Sequence, residues 1–281
     1  MSQTRALQVV SGTESVSPKL SLRGVSKTYR QASGEEVSAL VDVALDVAPG
    51  EFLCVIGPSG CGKSTLLNLI AGLDRPDDGE VLMDGRPVAG PGPNRALLFQ
   101  EPALFPWMSI VRNIEFALEL GGAPRSVWHE RARHWLDKVH LSEFANAQPH
   151  EISPGMRQRA ALARALACQP DVLLADEPFG ALDAQSREVL QRELQDVWLE
   201  TRNTFVFVTH NVREAVFLAD RVVLMSARPG TLVAEHRISS PRPREFADVL
   251  LTKVGVDVHD HLLKEVEGLV AAEEAADTDL A

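Results

Sequence analysis

The sequence predicts an α/β fold with a mainly parallel sheet, and three observations lead to this prediction. Short apolar runs alternate along the chain with stretches of helical periodicity, which is typical of parallel strands covered by helices. A glycine-rich loop at residues 57–65 follows one apolar run and precedes a helical stretch. Residues 37–47 alternate apolar and polar side chains, which favours an antiparallel strand on a half-buried sheet. We therefore expect a parallel core with an antiparallel β subdomain.

The individual elements follow from the same patterns. Predicted strands lie at residues 20–25, 37–47, 52–56, 80–85, 96–99, 171–177, 204–208 and 221–225, where the chain is apolar or alternating. Predicted helices lie at residues 64–71, 154–168, 186–200 and 212–219. Residues 110–149 also have helical spacing, with Trp128 and Trp135 as packing residues, and predict an inserted helical subdomain at about residues 108–168.

The two ends of the chain differ from its middle. Residues 1–19 are rich in Ser, Thr and Gln and predict a mobile N-terminal tail. The main folded domain is expected at residues 20–235. Residues 236–281 are weakly helical and predict a C-terminal helical extension that ends in an acidic tail.

Composition narrows the class of protein. The chain has 281 residues, is 45% hydrophobic, and carries 28 Lys and Arg against 39 Asp and Glu, a net charge of -11. An acidic balance of this kind argues against nucleic acid as a partner, since there is no basic excess to neutralise phosphates. No signal peptide and no apolar run long enough to span a membrane is recognisable, so we expect a soluble chain.

The glycine-rich loop carries the strongest chemical signal. Residues 57–65 read GPSGCGKST and fit the P-loop pattern G-x-x-x-x-G-K-[ST]. Its glycines allow backbone N–H groups to surround an anion, and the following helix points its positive end at the same place. The Lys63 charge suits the β- and γ-phosphates of a nucleotide, and the Ser64 hydroxyl suits Mg²⁺. A glycine turn before a core helix is the alternative, but it leaves Lys63 and Ser64 unexplained. The residues predicted to bind a nucleoside triphosphate in this P-loop NTPase core are Gly57, Pro58, Ser59, Gly60, Cys61, Gly62, Lys63, Ser64 and Thr65.

The three cysteines, Cys54, Cys61 and Cys168, lack metal-ligand spacing and indicate a reducing compartment. Cys61 lies in the phosphate nest beside Lys63 and a helix N-terminus, both of which lower a thiol pKa. We therefore predict that Cys61 is sensitive to alkylation and is protected by ATP.

Polar residues end several of the predicted strands. Asp176 and Glu177 close one apolar strand, where an aspartate suits Mg²⁺ and a glutamate suits a general base that orients water. Gln100 and His210 close two other strands. The amide of Gln100 suits Mg²⁺ or the attacking water. A solvated acidic strand end, a surface glutamine and a structural histidine are the corresponding alternatives. Because the carboxyl ends of parallel strands share one sheet edge, we expect the four side chains to meet beside the P-loop.

Together these motifs resemble the ATP-binding subunit of an ABC transporter, over about residues 20–235. The resemblance includes Tyr29, for which adenine stacking and ordinary packing are equally open from the residues alone. The further matching stretches are GPSGCGKST at 57–65, Gln100, ISPGM at 152–156, LLADEP at 173–178, ALD at 181–183 and His210. The resemblance implies catalytic Glu177, His210 and Gln100, an adenine-stacking Tyr29, and Mg²⁺ at Ser64, Gln100 and Asp176. It also implies a homodimer with ATP between one P-loop and the partner's signature, which here is Ser153, Gly155 and Met156, with Asp183 nearby.

Two stretches resemble the nitrate, sulfonate and taurine importer branch, namely residues 99–107 and residues 208–221 with their continuation to 230. This implies a second copy, an integral membrane permease and, indirectly, a solute-binding protein as partners, at the cytoplasmic face of the membrane. A soluble non-transport ABC ATPase is the alternative. The signature departs from the usual Leu-Ser-Gly-Gly-Gln at Ile152, Pro154 and Met156. We expect Ser153 to cap a helix that Pro154 begins, which would preserve the signature's N–H groups.

Overall fold

The structure is a computed structural model that describes residues 17–246 and 255–263. Its strands are β1 (Leu20–Arg30), β2 (Glu36–Val47), β3 (Phe52–Ile56), β4 (Asp78–Met83), β5 (Arg86–Pro87), β6 (Arg95–Leu98), β7 (Val172–Asp176), β8 (Thr204–Thr209), β9 (Arg221–Met225) and β10 (Leu232–Arg237). Its longer helices are α1 (Lys63–Ala71), α2 (Ile110–Leu120), α3 (Arg125–Lys138), α4 (Pro154–Ala167), α5 (Ala184–Thr201) and α6 (Val212–Leu218). Residues 255–263 are also helical, and in these described parts no helix is long and apolar enough to cross a membrane.

The strands form two sheets. The larger has six strands in the order β10-β9-β3-β8-β7-β6, and all neighbours are parallel except β10, which runs antiparallel to β9. The smaller has four strands in the order β2-β1-β4-β5, with every pair antiparallel. The predicted parallel core and antiparallel β subdomain are both confirmed.

The parallel sheet is buried because each of its faces packs against a different layer. On β3 the side chains of Phe52, Cys54 and Ile56 pack with α5 and α6. The intervening side chains of Leu53 and Val55 pack with α1 and the antiparallel sheet. This alternation is the two-residue period of a strand, and both faces are apolar because both are covered.

A third cluster lies in the segment between β6 and β7. Helices α2, α3 and α4 bury Ile110, Ile114, Leu118 and Leu136 against one another. Trp128 and Trp135 are half-buried at the margin of this cluster, which agrees with a packing role. The segment is therefore a small helical bundle with a core of its own.

Two strands, β5 and β10, were not predicted from the sequence, and both lie at sheet edges. β10 has alternating half-buried and exposed residues and pairs only with β9, and β5 is a two-residue exposed pairing with β4. These two strands bury few apolar side chains, so their sequence signal is weak. The parallel strands, in contrast, deliver their carboxyl ends to one edge of the sheet, and this edge positions the site.

Candidate functional site

The loop between β3 and α1 wraps tightly around the start of the helix. Gly62 is the residue before α1 and has φ 101°. A Cβ at Gly62 would lie 2.7 Å from the Ala39 carbonyl oxygen and 2.8 Å from the Leu40 side chain. A glycine is therefore required both for the left-handed backbone and for the close approach to β2. The result is a helix N-terminus at a cleft that Lys63, Ser64 and Thr65 line.

Lys63 is held against the loop that precedes it. Its side chain is buried, and its Nζ donates to the Gly57 carbonyl at 2.9 Å and the Pro58 carbonyl at 2.8 Å. A buried ammonium needs such partners, and the two carbonyls supply them. The charge therefore lies at the loop, within reach of an anion that the loop binds.

The prediction that the Cys61 thiol is sensitive to alkylation is wrong. The Cys61 side chain is 1% exposed and packs in the core between β2, β3 and α1, with its sulfur 2.8 Å from where a Cβ on Gly57 would lie. Burial raises the pKa of the Cys61 thiol, and the neighbouring Lys63 only partly opposes this rise. The thiol thus faces the interior of the fold and does not face the cleft, so it is protected whether or not nucleotide is bound.

Asp176 lies beside Ser64 at the end of β7. Burial raises the pKa of Asp176, a hydrogen bond with Ser64 lowers it, and the neighbouring Glu177 carboxylate raises it again. A paired hydroxyl and carboxylate are oxygen ligands of the kind that Mg²⁺ takes together with substrate phosphates, so these residues fit the ion. Gln100 follows β6 and is exposed. Its Nε2 lies 3.3 Å from the point that a Cβ on Gly180 would occupy, so the amide is next to the segment that follows Asp176.

Glu177 forms a pair with His210. Glu177 has φ 43°, and its N–H donates to the Val208 carbonyl at 3.0 Å, so the chain turns sharply where β7 ends. The turn directs the carboxylate into the cleft that Lys63 and Ser64 also line. There its Oε2 accepts a hydrogen bond from His210 Nδ1 at 2.8 Å. A carboxylate fixed in this way is suited to orient and deprotonate water.

A buried network behind His210 was missed by sequence reasoning. Glu214 on α6 is 4% exposed and accepts hydrogen bonds from Thr209 Oγ1 and from Gln191 Nε2, the latter at 2.6 Å. Thr209 Oγ1 accepts in turn from the Asn211 N–H at 3.0 Å. Burial raises the pKa of Glu214. The network fixes the turn that carries His210, and a glutamate within the apolar helix VREAVFL was its sequence signal.

Tyr29 lies at the edge of the same cleft, which has a volume of about 380 Å³. Its ring is 39% exposed, and its hydroxyl donates to Asp74 Oδ2 at 2.9 Å. Lys27 Nζ lies 5.3 Å from the ring centre. A partly exposed ring held at the edge of the cleft is suited to stacking on a nucleotide base.

The signature residues Ser153, Gly155 and Met156 do not line this cleft. Ser153 caps α4 by accepting from the Met156 N–H at 3.3 Å, and Pro154 is the first helical residue, as predicted. The Cβ position of Gly155 lies 3.9 Å from Ser186 on α5. Asp183 caps α5 through the Ser186 N–H at 2.9 Å, and the Ser186 side chain lowers the pKa of Asp183. One chain therefore brings Tyr29, Ser64 and Glu177 to one cleft, with Asp176 bonded to Ser64 and His210 to Glu177, and leaves the signature outside it. Gln100 lines a neighbouring pocket together with Pro154.

Comparisons with known proteins identify the family of the chain. The ABC transporter family model matches residues 40–180. The chain is 48% identical to a nitrate import ATP-binding protein of Synechocystis over 74% of this chain and 79% of that protein. It is 43% identical to a taurine import ATP-binding protein of Burkholderia pseudomallei over 89% of this chain and 98% of that protein. A solved dimeric ATP-binding cassette, in a post-hydrolysis state with ADP and Pi, shares 33% identity, covers 79% of this chain and 100% of its own, and has a TM-score of 0.68. The chain belongs to the ABC transporter family and is one of its ATP-hydrolysing, ATP-binding proteins.

Proposed function

We propose that this ATPase powers an importer, in which MgATP closes a homodimer and the closure drives solute uptake through a separate membrane permease. The observation that carries the proposal is that Ser153, Gly155 and Met156 lie outside the cleft over the P-loop of their own chain. The N-terminus of a helix is suited to bind phosphate. Because that of α4 lies outside the cleft of its own chain, it would meet the nucleotide in the cleft of another copy. The dimeric state of the solved cassette supports this arrangement.

Each group at the cleft then has a role in hydrolysis. The P-loop N–H groups and Lys63 hold the phosphates, and Tyr29 stacks on adenine. Ser64, Asp176 and Gln100 hold Mg²⁺, which when bound neutralises phosphate charge. Glu177 accepts a proton from the attacking water, and His210 keeps that carboxylate in position through its hydrogen bond at 2.8 Å.

The solute belongs to the nitrate, sulfonate and taurine class in this proposal. The nitrate and taurine import relatives support it, together with their coverage of most of this chain. A solute-binding protein would deliver the solute to the permease, and the ATPase would work at the cytoplasmic face of the membrane.

The permease is proposed to dock at the loop that follows Gln100. Trp107 is 70% exposed, and its ring packs on Phe105 at 5.6 Å between ring centres. Arg164 on α4 fixes the loop by donating to the Ala103 carbonyl at 2.8 Å and the Pro102 carbonyl at 3.0 Å. An apolar tip on a loop fixed to the helical bundle is suited to a protein partner.

Purification of a tagged chain from solubilised native membranes tests the proposal. We expect an integral membrane permease to co-purify and Trp107→Ala to reduce its yield without changing ATP affinity. Leu120→Ala is the matched control, because Leu120 is equally exposed, at 72%, but lies at the end of α2. Recovery of the chain without any membrane protein would favour the soluble ATPase instead.

A further inference from the structure

The loop between β9 and β10, residues 226–231, is pressed against the P-loop. Gly230 donates its N–H to the Ala39 carbonyl at 2.9 Å and accepts from the Val41 N–H at 3.1 Å, so the loop is bonded to β2. A Cβ at Gly230 would lie 2.1 Å from the Cys61 carbonyl oxygen. No side chain fits there, so glycine allows the two loops to touch.

This loop is also fixed internally. The Ser226 N–H donates to the Thr231 carbonyl at 2.9 Å, closing the loop at its base. Ser226 Oγ accepts from the Thr231 N–H at 2.9 Å and lies 3.0 Å from the Pro229 carbonyl. A residue at the tip of such a loop has a defined position relative to the P-loop, and that residue is Arg228.

Arg228 brings a cation to the mouth of the nucleotide cleft. Its Nε donates to the Gly60 carbonyl at 3.2 Å, and its side chain lines the cleft together with Tyr29 and Lys63. Among the described residues that line this cleft, Lys63 and Arg228 are the cations and Glu177 is the anion. A guanidinium presents several N–H groups in a planar fork that matches phosphate oxygens.

We propose that Arg228 is a nucleotide-binding residue whose guanidinium contacts the phosphate chain of ATP beside Gly60. The proposal rests on the ATP-binding role of the cleft and adds a phosphate ligand from outside the P-loop. One bond anchors Nε to the Gly60 carbonyl, and the η nitrogens of the same group reach the phosphates. Through Arg228, the loop that connects β9 and β10 therefore contacts the bound nucleotide.

Calorimetric titration of the full chain with the magnesium complex of a non-hydrolysable ATP analogue tests this contact. We expect Arg228→Ala to weaken binding roughly tenfold at low salt, the magnitude of one charge-assisted hydrogen bond. Arg228→Lys should recover part of the affinity because it keeps the charge. The salt dependence of the dissociation constant should be shallower in Arg228→Ala than in wild type, because one ionic contact is gone.

Arg23→Ala is the matched control, since Arg23 pairs with Glu80 on the exposed face of β1 and its loss changes the net charge equally. Wild-type affinity in Arg228→Ala would overturn the contact and leave the ATPase assignment intact. Weak binding by Arg228→Ala and Arg228→Lys alike, with unchanged salt dependence, would also overturn it, because Arg228 would then only shape the P-loop. Failure of the wild-type chain to bind the analogue would contradict the proposed function itself.

Discussion

At the scale of single residues, the proposed hydrolysis depends most on Glu177. Its carboxylate lies in the cleft, is fixed by His210 and follows a left-handed backbone turn. Non-glycine residues adopt that conformation at some energetic cost, which is typical of positions where function fixes the backbone. The position of Glu177, and not only its acidity, therefore matters.

Glu177→Gln should lower steady-state phosphate release by about 10²–10⁴-fold, because it removes the group that accepts the proton from water. The amide keeps the shape of the side chain, so ATP affinity should stay near that of wild type. Glu188→Gln is a suitable control, since Glu188 pairs with Arg213 at the surface. Turnover at the wild-type rate in Glu177→Gln would exclude Glu177 as the base.

Cys61 leads to an opposite expectation from the one its motif suggested. Because the thiol is buried and its pKa is raised, a maleimide should leave Cys61 and Cys54 unmodified in the native chain without nucleotide. Any modification should fall on Cys168, which is only partly buried. Mass spectrometry of native and denatured samples checks this, and rapid labelling of native Cys61 would contradict it.

At the scale of elements, α4 shows how a proline is accommodated in the signature. Ser153 caps the helix and Pro154 occupies its first turn, where a missing N–H breaks no intrahelical bond. Pro154→Gly should therefore change ATPase activity by no more than several-fold and lower the free energy of unfolding by about 0.5–1 kcal/mol. Phosphate release and denaturant titration measure both. An inactive wild type that Pro154→Gly restores would contradict this.

The helix at residues 255–263 contacts β10 through two histidines. His236 Nε2 and His261 Nδ1 lie 3.1 Å apart. Burial and the nearby His261 lower the pKa of His236 below its ordinary value of 6.5, while Asp257 and Glu235 oppose the shift. His236 therefore binds a proton more tightly when the helix at residues 255–263 is undocked than when it is docked.

Docking of this helix should weaken as pH falls through the ordinary histidine pKa of 6.5. The stabilisation that comes from neutral His236 should be lost fully below the lowered pKa of His236. Amide hydrogen exchange of residues 255–263 at about pH 8 and about pH 5 measures the effect. His236→Gln should remove most of the pH dependence. Equal protection at both pH values in wild type would contradict the assignment.

The sequence predicted the parallel strands and α1 well because apolar runs and the P-loop pattern are local signals. Edge strands β5 and β10 bury little and gave no such signal. The Cys61 prediction failed because the direction of its thiol depends on packing against Gly57 and β2. Arg228 is 168 residues from Gly60 in sequence, and Glu214 is 23 from Gln191, so only the fold brings these partners together.

At the scale of the whole molecule, one chain supplies the P-loop half of one site and the signature half of another. The P-loop, Glu177 and Tyr29 line one cleft, whereas Ser153 lies at the N-terminus of α4, outside it. Two copies related by a twofold axis would make two complete sites, each with a signature from the other chain. ATP bound in the two clefts then favours dimer closure, because the closed dimer supplies each nucleotide with a second set of contacts.

Light scattering of Glu177→Gln is the decisive experiment, because this variant should bind ATP without consuming it. We predict a monomer with MgADP, a dimer with MgATP, and a monomer again with MgATP when Ser153→Arg is added, although the double variant should still bind the nucleotide. A Glu177→Gln chain that binds MgATP and remains monomeric, or a dimer that Ser153→Arg leaves intact, would contradict the account.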